Sequence, residues 1–141
     1  MATYQRILAT VDFSEHTDAV IQSAVRQAEC SGAGLRVLHV VDYTRPIDDD
    51  YIIPPDDEVE TALLASAKEQ LEDTLRRHGA AHARALVISG RPKQEILRVA
   101  EREAADLIVI GAHGHHGLAG LLGSTTDRVL HRASCPVLIV R

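Results

Sequence analysis

Residues 110–125 read IGAHGHHGLAGLLGST and follow directly on the apolar run Leu107-Ile108-Val109. Five glycines (111, 114, 117, 120 and 123) and three histidines (113, 115 and 116) share this stretch. Glycine takes positive φ at no steric cost and lets a backbone approach a ligand closely. Successive main-chain N–H groups in such a loop can form an anion-binding nest. Ser124 then starts a helix, and Asp127 three residues later completes a capping-box pattern. A helix start offers unpaired N–H groups and the positive end of its dipole, and the hydroxyls of Ser124 and Thr125 add donors. These features together suit a phosphate chain.

Neither of two better-known phosphate motifs fits. The loop contains no G-x-G-x-x-G and no G-K-[ST], so neither a dinucleotide fingerprint nor a Walker loop is indicated. A glycine-rich turn packed on a sheet, with Ser124 as a plain cap, is the blander alternative. A metal site on His113, His115 and His116 has no support from spacing: there is no i,i+4 helical pair and no nearby cysteine. His39, inside an apolar run, reads as a hydrogen-bonded core histidine. Asp12 closes the first apolar run beside a helix start. It reads either as a helix cap or as a carboxylate facing a ligand hydroxyl, an amine or a Mg²⁺ on phosphates.

Alternating elements would position these residues. Ile7–Val11 reads as a buried strand. The following stretch changes period, with Val20, Ala24 and Ala28 at helical spacing, Asp12 or Ser14 as its cap and the SGAG at 31–34 as its stop. LRVLHVVD (35–42) is a second strand. YTRPIDDDYIIPPDDE, with three prolines and many carboxylates, is irregular and solvated. A long helix over about 58–78 carries Leu64, Leu71 and Leu75 on one stripe. HARALVIS (82–89) is a third strand, and its interior Arg84 points to the sheet edge. Gly90 and Pro92 open a helix with Ile96, Val99 and Ala100 on its apolar face. DLIVIG, a short helix over about 124–131, and PVLIV complete the chain. Strands alternating with helices indicate a parallel sheet with right-handed crossovers, and such sheets bind ligands beyond the carboxyl ends of their strands. The informative positions are therefore Asp12, the 40–42 corner, Gly90 and the loop over 111–124.

Composition narrows the class. The chain has 141 residues, 45% hydrophobic and 25% charged, which suits one domain over 1–141. Its net charge of -5 and 3% aromatic content give no basic stripe and no base-stacking platform, which argues against nucleic acid. Cys30 and Cys135 form no metal-type pair. The N-terminus lacks a signal-peptide pattern, and no apolar run reaches membrane-spanning length. A cytoplasmic protein is expected.

The segments ILATVDFSEHTDAV, LRVLHVVD, GRPKQEIL, ADLIVIGAHGHHGLAGLLGST and RVLHRASCPVLIVR resemble, in order and spacing, the universal stress protein family over almost the whole chain. The resemblance implies an α/β, Rossmann-like fold: an open five-stranded parallel sheet in order 3-2-1-4-5 with helices on both faces. It implies ATP, with or without Mg²⁺, at the switch between the first and fourth strands. By matching motif, Asp12 would contact the nucleotide and the Val40 backbone would meet the adenine. Gly111 and Gly114 would open the phosphate loop; Gly123, Ser124 and Thr125 would close it. The family's ATP-binding pattern is G-x2-G-x9-G-[ST], whereas here eight residues, 115–122, separate Gly114 from Gly123. The C-terminal strand, 136–140, is an apolar edge whose pairing with its twin would give a homodimer. Three functions follow as expectations. They are an ATP-binding stress regulator, a slow ATPase, and an interaction module that binds no nucleotide.

Overall fold

A computed structural model describes residues 4–42, 57–113 and 121–141. Gly114, His115, His116 and most of the acidic connection lie outside the described residues. Nine elements alternate: β1 (Arg6–Thr10), α1 (Thr17–Ser31), β2 (Gly34–Val41), α2 (Asp57–Arg77), β3 (Arg84–Ser89), α3 (Pro92–Arg102), β4 (Leu107–Gly111), α4 (Ser124–Arg132) and β5 (Val137–Val140). All strand pairings are parallel and the order is β3-β2-β1-β4-β5, as the resemblance implied.

The strand sequences account for this order. β1 is buried at every position after Arg6 and β4 at every position before Gly111, which suits strands covered on both faces. They occupy the centre of the sheet. β3, with Arg84 at its start, and β5 are the two edges and are only half-buried throughout.

Alternation along the strands divides the core into two layers. On one face Ile7, Ala9, Val37, Leu107 and Val109 meet Val20, Ile21 and Ala24 of α1 and Leu71 and Leu75 of α2. On the other, Leu8, Leu38, Ile108 and Ile110 meet Ile96 and Val99 of α3 and Val129 of α4. Each large aliphatic side chain buried here contributes about 1.5–3 kcal/mol of transfer free energy. Only the second half of α2 is buried, through Ala67, Leu71, Thr74 and Leu75.

Two expected helix caps differ from the structure. Neither Asp12 nor Ser14 caps α1: its N-cap is His16, with no side-chain cap bond. Asp12 instead accepts the Ser14 N–H at 2.9 Å, and the Ser14 hydroxyl oxygen accepts the His16 N–H at 3.3 Å. The chain takes two local turns before the helix begins, because short polar side chains compete for nearby backbone donors. At α4, Gly123 is the N-cap and Ser124 the first helical residue, again with no side-chain cap bond. The Asp127 N–H goes to the Gly123 carbonyl at 2.9 Å rather than to a serine hydroxyl.

Candidate functional site

Beyond the carboxyl ends of β1, β2 and β4 lies a cavity of about 470 Å³, a size that suits a small-molecule ligand. It opens where the chain order reverses: β1 pairs with β2 on one side and β4 on the other. Three helix starts converge on it, represented by His16 and Thr17 of α1, Pro92 of α3 and Ser124 of α4. Each start brings a positive dipole end, but Pro92 has no N–H and the His16 and Thr17 N–H groups already donate to Ser14.

Local bonds fix the rim. The Val11 N–H donates to the Leu38 carbonyl at 2.9 Å, and the Gly90 N–H to the Val41 carbonyl at 3.0 Å. The Ala112 N–H donates to Val140 at 2.7 Å, tying the end of β4 to β5. The Gly123 N–H donates to the Ala112 carbonyl at 2.8 Å, which clamps the two ends of the glycine segment together. The Thr126 hydroxyl donates to the Gly111 carbonyl at 2.6 Å, so the first turn of α4 is anchored to the strand it follows.

The turn after β1 carries strain. Phe13 has φ 59, a left-handed conformation that is unfavourable for a bulky residue. The Asp12–Ser14–His16 turns hold it there. Its ring lies against the His39 imidazole, with centroids 4.2 Å apart. His39 Nδ1 is 2.8 Å from the Val11 carbonyl oxygen, a contact that requires a proton on Nδ1. His39 is thus hydrogen-bonded as expected, yet it also lines the cavity.

Of the residues singled out by sequence, Asp12, Val40, Gly111, Gly123, Ser124 and Thr125 all border this one cavity, although they come from four separate segments. Gly114 lies outside the described residues. Gly111 sits where α1 and β4 close on each other: an added Cβ would lie 3.4 Å from His16 Cβ and 3.5 Å from Val20 Cγ2. A methyl group would touch both.

Sequence reasoning missed His16, Thr17 and Thr126 as cavity residues. A threonine near a helix start reads only as part of a cap. Here Thr17 is 6% exposed, and its hydroxyl finds no partner. His113 Nδ1 is also buried and unpartnered, and the His113 and His16 rings stand 5.9 Å apart. A buried polar atom left unpartnered costs about 1–3 kcal/mol, so two on one cavity wall point to a ligand or ordered water. Asp12 and Asp42 are the carboxylates of the lining, and no lysine or arginine lines the cavity among the described residues. An anion held here would depend on main-chain amides, hydroxyls, helix dipoles and imidazoles. That donor set fits a phosphate chain. No group of three or more His, Cys, Asp or Glu residues suited to a metal ion occurs among the described residues. None of the described helices is long and apolar enough to cross a membrane.

The model of the Universal stress protein family matches residues 3–141. "Universal stress protein A homolog 1" of Coxiella burnetii is 35% identical over 139 residues, covering 97% of this chain and 96% of that protein. The solved structure of universal stress protein UspA from Lactobacillus plantarum superposes with a TM-score of 0.79 at 32% identity, covering 100% of both chains. A universal stress protein described in complex with cAMP has a TM-score of 0.69 at 24% identity, over 98% of this chain and 97% of that one. At that identity the likeness is one of fold.

Proposed function

The chain belongs to the universal stress protein family, and on that premise we propose that it is an ATP-binding regulator rather than a fast enzyme. The observation that carries this reading is the convergence of three helix starts on one cavity at the strand switch point. In this reading the Val40 backbone meets the adenine edge and Asp12 faces the ribose. Gly111, Gly114, Gly123, Ser124 and Thr125 cradle the phosphates. This chain's amides and hydroxyls would hold the nucleotide; the other role open to Asp12, in place of the ribose contact, is to hold an accompanying Mg²⁺. A ligand that binds one conformation better than another shifts the balance between them, which is what a regulator needs.

The same reading gives a single cytoplasmic domain over 1–141 that forms a homodimer through β5. Among the described residues that strand is an apolar edge paired with β4 alone. Pairing with a second copy would remove the edge. Replacing Leu138 with lysine would then shift sedimentation from dimer to monomer.

Titration calorimetry with ATP tests the ligand, with cAMP run beside it. ATP binding without turnover supports the sensor. Mg²⁺-dependent ADP release above background supports a slow ATPase. Absence of binding by any adenine nucleotide leaves an interaction module and sinks the proposal.

A further inference from the structure

The cavity has two unequal polar walls. The α4 wall is made of main-chain amides and small hydroxyls around Ser124. The corner where α1 meets the end of β4 adjoins the α4 start, since the Gly123 N–H donates to the Ala112 carbonyl at 2.8 Å, and it includes Thr17 and His113. Thr17 Oγ1 and His113 Nδ1 are buried and without partners, and both residues line the cavity. The His16 ring stands 5.9 Å from that of His113. Resting on the nucleotide reading above, we propose that Thr17 and His113, with His16 beside them, form a second anion subsite that takes a phosphate oxygen of the bound nucleotide.

The chemistry of the corner favours an anion. A threonine hydroxyl can donate, a protonated imidazole nitrogen can only donate, and the α1 N-terminus adds a positive dipole end. Carboxylates also face the corner. Glu15 Oε1 lies 3.6 Å from His16 Nε2, and Asp12 and Asp42 are in the lining with His39. Since no lysine or arginine joins them among the described lining residues, the imidazoles are the side chains there that can supply positive charge.

The subsite makes ATP binding depend on pH. Histidine gains or loses its charge within the physiological range. A phosphate oxygen beside an imidazole favours the protonated ring, so binding takes up protons and weakens as pH rises. Each proton taken up steepens the dependence by up to about tenfold in affinity per pH unit.

Two substitutions test the subsite by calorimetry against ATP and adenosine. Thr17→Val keeps the β-branched shape and removes the hydroxyl. It should weaken ATP about fivefold to tenfold, leave adenosine unchanged, and not lower the melting temperature of the free protein. A threonine with a purely structural role would give the reverse pattern. For His113→Asn, titrations in buffers of different ionisation enthalpy count the protons taken up with ATP. The native protein should take up more than the variant, and adenosine should cause no uptake in either. Equal uptake with ATP by both proteins, or unchanged ATP affinity in Thr17→Val, overturns the subsite while leaving the nucleotide reading standing. No ATP binding by the native protein removes both.

Discussion

The two ends of the sheet are built differently. At the amino ends of the strands, the Asp106 carboxylate accepts the Gln5 and Arg6 N–H groups at 2.8 and 2.9 Å, and the Asp106 N–H returns to the Arg6 carbonyl at 2.9 Å. Gly34 closes on Gln5 at 2.9 Å. The Arg36 guanidinium on β2 meets Glu103 at 2.8 Å. At the carboxyl ends, by contrast, Thr17 and His113 keep buried polar atoms without partners and Phe13 holds an unfavourable φ. Strain and unmet groups are not confined to one end, since Ala104 before β4 has φ 52 and Arg36 Nε makes no hydrogen bond of good geometry. What sets the carboxyl end apart is that its unpartnered atoms belong to residues that line a cavity.

The largest expected effect is on the open end. Gly111→Val would place methyl groups beyond a Cβ already 3.4 Å from His16 Cβ and 3.5 Å from Val20 Cγ2, at a residue that borders the cavity. We expect ATP affinity to fall about a hundredfold, roughly 3 kcal/mol. Urea unfolding should also shift, by about 1–3 kcal/mol, because the buried Val20 must give way. Undiminished affinity in a folded variant would separate the cavity from the ligand.

Gly90 is a position where the open end should also affect stability. It ends β3 with φ +146, and a Cβ there would lie 2.7 Å from Glu95 Cγ. Gly90→Ala combines backbone strain with displacement of Glu95, at about 2–3 kcal/mol. A smaller loss, below about 1 kcal/mol in urea unfolding, would mean that the β3–α3 corner relaxes readily.

At the closed end, Asp106→Ala removes two charge-assisted bonds and should destabilise by about 2 kcal/mol, with ATP affinity unchanged. A parallel loss of affinity would show that the two ends are coupled. Gly32→Ala is expected to cost about 1 kcal/mol. Gly32 caps α1 at φ 66 with open space around it, so the penalty is the left-handed backbone alone.

The elements were legible because period changes along the chain are abrupt. The run of β4 is apolar throughout, and α3 places Ile96, Val99 and Ala100 on one stripe. The motif residues were legible as a set because they fall just after strands, and the parallel topology gathers those positions at one end. The unpartnered state of Thr17 was not legible. It depends on which acceptors and donors tertiary packing leaves within reach of the hydroxyl, which no local pattern encodes. The cap at His16 was missed because Asp12 and Ser14 spend their oxygens on turns before the helix begins.

The smallest effect reports on the closed end from within. Burial, and then the Asp106 carboxylate, push the Cys135 thiol above its ordinary range. The thiolate is the reactive form, so at mildly alkaline pH Cys135 should alkylate slowly and speed up as pH rises. Replacing Asp106 with alanine removes the charge but keeps most of the burial. In a Cys30→Ser background, where Cys135 is the remaining cysteine, that change should accelerate alkylation by less than about tenfold. An accelerated rate with unchanged ATP affinity would place the electrostatic effect at the amino end alone. If alkylation in that variant became fast and independent of pH, loss of Asp106 would have opened the base of β5. The bond between Ala112 and Val140 would then carry that disturbance up the strand to the cavity rim, and the two ends could no longer be treated as independent.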